Sequence, residues 1–188
     1  MEKIALFASG SGTNVQRIAE YFQENPGVEI TAVFTNNPHA GVLQRTAKLG
    51  ITSVIFTRND FYGNDKVLDI LDSLNVDLIV LAGFLWLVPE KIIRRYRNKI
   101  INIHPALLPA YGGKGMYGQH VHKAVVANGE KKSGITIHYV NEKYDEGQLI
   151  FQAEVKLTSN ETPQSLAAKI HKLEYEHFPV VIENLLKS

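Results

Sequence analysis

The sequence has no cysteine, which excludes disulfides, thiolate metal centres and a thiol nucleophile. Nothing marks the chain for an oxidising compartment, and a reducing cytoplasm is the expected setting. It also lacks any excess of charge. Twenty Lys and Arg stand against nineteen Asp and Glu, a net charge of +1, and no stretch gathers the cations into a stripe that could follow a phosphate backbone. Nucleic acid is therefore not an expected partner. No apolar run is long enough to cross a bilayer, and "MEKIALFASGSG" lacks the basic segment, long apolar core and small-residue cleavage site of a leader, so no membrane association is expected. Repeats, low-complexity tracts and linker-like composition are missing as well. What remains is 188 residues, 45% hydrophobic and 21% charged, enough for one domain with one sizeable core, spanning residues 1–188.

Hydrophobic periodicity alternates along the chain. "KIALFA" reads as a strand, "SGSGTN" as a loop, and "VQRIAEYFQEN" places Val15, Ile18, Ala19 and Phe22 at helical spacing. The pattern recurs with "EITAVFT" as strand, "GVLQRTAKLG" as a helix ended by Gly50, and "TSVIFT" as strand. "DKVLDILDSLN" is helical, and "VDLIVLAG" is apolar almost throughout, as a parallel strand covered on both faces requires. Pro89 is placed to start the helix "PEKIIRRYRN", ahead of the strand "KIINIH". About five parallel strands joined by right-handed crossovers follow from this order, an α/β architecture. Further on, "QHVHKAVVANG" reads as a helix, and "SGITIHYV" and "LIFQAEVKL" as antiparallel strands around "NEKYDEGQ". Thr162 and Pro163 suit the cap and first turn of a closing helix to about Lys187, which Pro179 is expected to kink.

Three places carry chemistry. In "SGSGTN", Gly10 and Gly12 permit a tight turn, and a helix starting near Asn14 aims free amides and a partial positive charge at an anion. Gly12, Thr13 and Asn14 are thus candidate phosphate ligands, against the alternative of a glycine turn that merely joins strand to helix. The loop is not a dinucleotide fingerprint, because Val15 occupies the third glycine position and no acidic residue ends the second strand. In "IINIHPALLP", Asn102 and His104 are two apart in a strand and share a side at its carboxyl end, where open α/β sheets bind ligands. A carboxamide beside an imidazole suits the stabilisation of an oxyanion and the movement of a proton, as acyl transfer needs, although both could equally satisfy loop backbone groups. Asp145 in "YDEG" is the candidate carboxylate, with Glu142 and Glu146 as rivals in the same turn. His120 and His122 are two apart on a helix and point to different faces, so no metal pair is expected.

Taken together, "SGSGTN", "VLAGFLWLV", "NIHPALLPAY", "HVHKAV", "YDEGQLI" and "EYEHFP" resemble the glycinamide ribonucleotide formyltransferase family over nearly the whole chain. The resemblance implies a Rossmann-like, doubly wound, mostly parallel sheet of about seven strands with an antiparallel C-terminal part. It assigns phosphate binding to a half of about residues 1–100, and folate binding and catalysis to a half of about residues 101–188. It makes Asn102, His104 and Asp145 the catalytic trio and gives the phosphate to Gly12, Thr13 and Asn14. His171, Lys172, Leu173 and Glu174 are set against the ribonucleotide. Folate contacts fall to Leu85, Trp86, Leu87 and Val88, to Asn102, and to Asn141, Glu142, Lys143, Tyr144 and Asp145.

The implied reaction moves a formyl group from the co-substrate 10-formyltetrahydrofolate to the amine of glycinamide ribonucleotide, without a metal, in a monomer or homodimer. His104 as imidazolium and the Asn102 amide would hold the tetrahedral oxyanion, while Asp145 would keep His104 protonated and help a water carry the proton. Two departures from the family pattern stand out. Trp86 and Leu87 replace a basic residue and an isoleucine found in some members, with Phe61 near a position where some carry arginine. "GGKGMYG" at 112–118 is longer than the usual short loop, and its four glycines suit mobility or a close approach to substrate. Related folate formyl enzymes carry an extra domain for which this length leaves no room. The remaining alternative is a non-catalytic nucleotide-binding module that uses only the glycine loop.

Overall fold

A computed structural model describes residues 1–187. Its sheet has seven strands in the order β3-β2-β1-β4-β5-β6-β7. Strands β1 (Glu2–Phe7), β2 (Val28–Thr35), β3 (Ser53–Ile55), β4 (Leu78–Leu81) and β5 (Ile100–His104) are parallel, whereas β6 (Lys132–Tyr139) and β7 (Leu149–Lys156) continue the sheet antiparallel. The expected α/β sheet with an antiparallel C-terminal part is therefore present. Helices α1 (Thr13–Gln23), α2 (Val42–Leu49), α3 (Lys66–Ser73) and α4 (Glu90–Arg95) connect the parallel strands, followed by α5 (Gln119–Ala127) and α6 (Pro163–Leu186).

The continuous apolar strands are explained by the two cores they separate. Ile4, Leu6 and Ala8 of the first strand segment face one core with Val15 and Ile18 of α1, Val121 of α5 and Ile170 and Phe178 of α6. Ala5 and Phe7 face the other, with Leu71 of α3 and Ile92 of α4. Side chains alternate across a strand, so a strand buried on both faces must be apolar at every position. The second core is aromatic. Phe7 stacks on Phe34 with ring centroids 4.7 Å apart, and Phe56, Phe61 and Phe84 close around them.

Two local details differ from the sequence reading. Pro89 stands just before α4 as its N-cap, with extended backbone, and the helix begins at Glu90. A π-helical turn at Asn59–Gly63, which hydrophobic periodicity does not reveal, carries the fully buried Phe61. Phe61 belongs to the aromatic core and does not line the cleft described below. At α6, Thr162 accepts a hydrogen bond from the Ser165 amide while Ser165 Oγ accepts from the Thr162 amide, a reciprocal cap with Pro163 in the first turn. The helix then runs 24 residues as one element through the buried Pro179.

Candidate active site

A cleft of about 610 Å³ opens over the carboxyl ends of β1, β4 and β5. Its walls come from the glycine loop after β1, the segment after β4, the end of β5, the 113–118 loop, the loop after β6, and α6. Carboxyl ends on both sides of the point where strand order reverses are the usual ligand site of such sheets, because the loops diverge there and leave a crevice.

Asn102, His104 and Asp145 meet in this cleft. His104 is 3% exposed, and its Nε2 lies 2.7 Å from the Tyr111 carbonyl oxygen. A carbonyl only accepts, so Nε2 carries the proton and Nδ1 faces the Asp145 carboxylate at 3.5 Å. The Asn102 amide nitrogen lies 3.2 Å from Nε2 of His138 and 3.5 Å from Asp145 Oδ1. His138 Nδ1 donates to the Tyr139 carbonyl at 2.8 Å, and its Nε2 lies 3.6 Å from Asp145 Oδ1. The Gly113 amide donates to Asp145 Oδ2 at 3.0 Å and ties the glycine-rich loop to the carboxylate. Of the rival carboxylates, Glu146 pairs with Lys143 at 3.1 Å outside the cleft, and Glu142 is exposed.

Burial and charge act in opposite directions on this pair. Burial pushes the His104 imidazole below its ordinary value, and the nearby Asp145 charge and Tyr111 carbonyl raise it only in part. Burial thus favours the neutral imidazole, and the Asp145 charge favours the imidazolium. Burial works to raise the Asp145 carboxyl, but His138, His104 and the Gly113 amide together outweigh that and hold it below the usual carboxylate range. An imidazole and a carboxylate anion thus share one buried spot.

At the other end of the cleft, Gly12 caps α1 with a left-handed φ of 74° and no side-chain cap, so the first amides of the helix have no side-chain partner from Gly12. Gly12, Thr13 and Asn14 line the cleft, as do His171 and Glu174. Asn14 Nδ2 donates to the buried Glu174 carboxylate at 3.0 Å, and His171 Nδ1 lies 3.0 Å from the same oxygen. That contact raises the His171 pKa against the opposing effect of burial. Lys172 faces a separate groove on the outer side, and Leu173 packs against the first core. Leu85, Trp86, Leu87 and Val88 line the cleft with Lys143 and Tyr144. Asn141 instead shapes its own loop, donating to the Glu146 carbonyl at 3.1 Å and accepting from the Lys143 amide at 3.0 Å.

Sequence reasoning missed several participants. His138 stands directly opposite Asn102 in the antiparallel ladder, a pairing visible only once the register is known. His122 is buried in the cleft wall with Nδ1 lacking a partner among the described residues, and burial pushes its pKa down. The Tyr111 carbonyl and Gly113 amide are backbone groups, which leave no residue-type signal.

The sequence matches the family described as formyl transferase over residues 2–182. It is 37% identical to the phosphoribosylglycinamide formyltransferase of Haemophilus influenzae, over 97% of this chain and 86% of that one. That of Bacillus subtilis is 35% identical, with 99% and 95% covered. The chain belongs to the phosphoribosylglycinamide formyltransferase family. Solved structures agree with this membership. Glycinamide ribonucleotide transformylase 1 from Geobacillus kaustophilus superposes with a TM-score of 0.90 at 33% identity, covering 99% of both chains. Longer relatives exist in plants, and the chain spans 67% of the chloroplastic formyltransferase of Arabidopsis thaliana and 62% of that of Vigna unguiculata. Among the described residues, no helix is long and apolar enough to cross a membrane.

Proposed function

We propose that the cleft performs formyl transfer by direct attack, with His104 as the proton carrier, Asn102 as the oxyanion donor and Asp145 as their electrostatic anchor. As a formyltransferase of this family, the chain moves the formyl group of 10-formyltetrahydrofolate to the amine of glycinamide ribonucleotide, yielding formylglycinamide ribonucleotide in purine biosynthesis. One observation carries the residue roles: the His104 imidazole and the Asn102 carboxamide each lie 3.5 Å from the Asp145 carboxylate, in a cleft also lined by the glycine loop and the Leu85–Val88 segment.

The chemistry follows from that arrangement. The glycinamide amine attacks the formyl carbon, and the carbonyl oxygen becomes an oxyanion. The Asn102 hydrogen that points at Asp145 across 3.5 Å is only loosely engaged and is available to that oxyanion. His104 Nδ1 accepts the proton released by the attacking amine. The imidazolium so formed is stabilised by the Asp145 carboxylate on one side and the Tyr111 carbonyl on the other. As the carbon–N10 bond breaks, the proton passes to N10 of the departing folate, so proton and electron pair balance without an enzyme-bound formyl group. Positioning of amine and formyl carbon supplies much of the remaining acceleration.

The ribonucleotide phosphate is held by Gly12, Thr13 and Asn14, and Glu174 and His171 face the rest of that substrate. The folate lies along Leu85–Val88 and the loop of Lys143 to Asp145. Every residue given a role comes from one chain, and the cysteine-free composition suits work in a reducing cytoplasm. The test is an absorbance assay of purified protein with 10-formyltetrahydrofolate, with and without glycinamide ribonucleotide. Turnover that requires the ribonucleotide is expected. Deformylation without acceptor would replace the proposal with a hydrolase, and inactivity in both conditions would reduce the protein to a nucleotide-binding module.

A further inference from the structure

A loop of glycines binds phosphate well only if something outside it fixes the direction of its amides, because glycine itself restrains the backbone least. In this protein the neighbouring helix α2 does so from below. The Val42 amide donates to the Gly10 carbonyl at 3.0 Å. The approach is so close that a Cβ placed on Gly12 would sit 2.4 Å from Val42 Cγ2, and one on Gly41 would sit 3.3 Å from Ser11 Cα.

Arg45 lies three residues after Val42, on the same face of α2. Its Nε donates to the Ser11 carbonyl at 2.8 Å, and its Nη1 donates to Gln16 Oε1 in the first turns of α1. Gln16 is held in turn by donating to Glu20 at 2.7 Å. The planar guanidinium therefore spans the loop and the helix that follows it, a two-acceptor geometry that an ammonium group does not reproduce.

The peptide bond converts that outer contact into an inner one. In a trans peptide the carbonyl of one residue and the amide N–H of the next point in opposite directions. With the Ser11 carbonyl held outward against Arg45, the Gly12 N–H is turned toward the cleft that Gly12 lines. We propose that Arg45 is a positioning residue for the ribonucleotide, fixing the Ser11–Gly12 peptide so that the Gly12 amide meets the substrate phosphate. Arg45 does not line that cleft; it borders the separate outer groove with Thr13 and Lys172. This inference rests on the proposed phosphate role of the loop.

The test compares wild type, Arg45→Met and Arg45→Lys by calorimetric titration with ribose 5-phosphate, by steady-state kinetics and by thermal melting. Arg45→Met is expected to weaken ribose 5-phosphate binding and raise KM for the ribonucleotide by about 10-fold, with kcat and KM for the folate within about twofold. Arg45→Lys retains charge without the fork and is expected to recover less than half of the lost affinity. Full recovery by lysine would show that charge alone matters and overturn the proposal. So would unchanged binding in Arg45→Met, or an equal loss of both substrates that tracks a lower melting temperature. If wild-type protein binds the ribonucleotide but not ribose 5-phosphate, the phosphate role of the loop fails instead.

Discussion

At the end proposed to bind phosphate, the cleft is built from a short loop between consecutive elements, β1 and α1, braced by α2. At its catalytic end, Asn102 and His104 arrive on β5, His138 on β6, and Asp145 on a loop whose contact with Asn102 spans 43 positions. The first is a local structure whose geometry follows from glycine conformation and helix ends. The second exists only because an antiparallel pair extends a parallel sheet and brings its connecting loop back over the rim. Damage at the two ends should therefore have different signatures: binding of one substrate at the phosphate end, and chemistry at the catalytic end.

The largest expected effects lie in the assembled half. Asp145→Asn removes the anion that stabilises the imidazolium, and Asn102→Ala removes the oxyanion donor. Each is expected to lower kcat by about 10²- to 10³-fold while calorimetry still shows ribonucleotide binding. Loss of that binding in both variants would erase the distinction between the two ends.

A smaller effect is expected from Gly12→Ala. The left-handed φ and the overlap with Val42 strain the substituted loop, at a cost of about 1–3 kcal/mol in denaturant unfolding. KM for the ribonucleotide should rise more than KM for the folate. Equal changes in the two constants would mean that the loop's effect is global.

The smallest effect is a shift in pH dependence. In the proposed mechanism His104 is the base, and burial lowers its pKa, so the acid limb of kcat/KM should have its midpoint below the ordinary histidine value. Asp145→Asn removes the charge that partly opposes burial and should move that limb lower still. Stability carries the same sign. A depressed pKa contributes stability above the ordinary value that is lost as pH falls through the folded one, so both His104 and Asp145 make the protein weaken on acidification. The His104 contribution falls between about pH 7 and pH 5, and the Asp145 contribution only below about pH 4. Urea unfolding at pH 7 and pH 5 of wild type beside His104→Gln checks the first: the variant should lose less stability on acidification, and an equal loss would contradict it.

The same division explains what was legible in the sequence. Asn102 and His104 were readable because strand parity puts residues two apart on one side, and the glycine loop because its spacing is local. Alternation of apolar segments announced the sheet, and apolar continuity in β4 announced burial on both faces. His138 was not readable, since its partner is fixed by ladder register rather than by neighbours in sequence. Glu174 and Asn14 are 160 positions apart, and their contact depends on α6 packing beside α1. Phe61 escaped because a five-residue π-helical turn is too short to show a period. For His104 the Asp145 charge that raises its pKa was legible in the sequence, but the depth of burial that lowers it was not.

The most direct test is a single-turnover measurement of formyl transfer by His104→Ala with both substrates saturating, beside a calorimetric titration of the same variant with glycinamide ribonucleotide. The account predicts that transfer slows by about 10²- to 10⁴-fold while ribonucleotide affinity stays near that of the wild type. Transfer at close to the wild-type rate would contradict the claim that His104 carries the proton at this site.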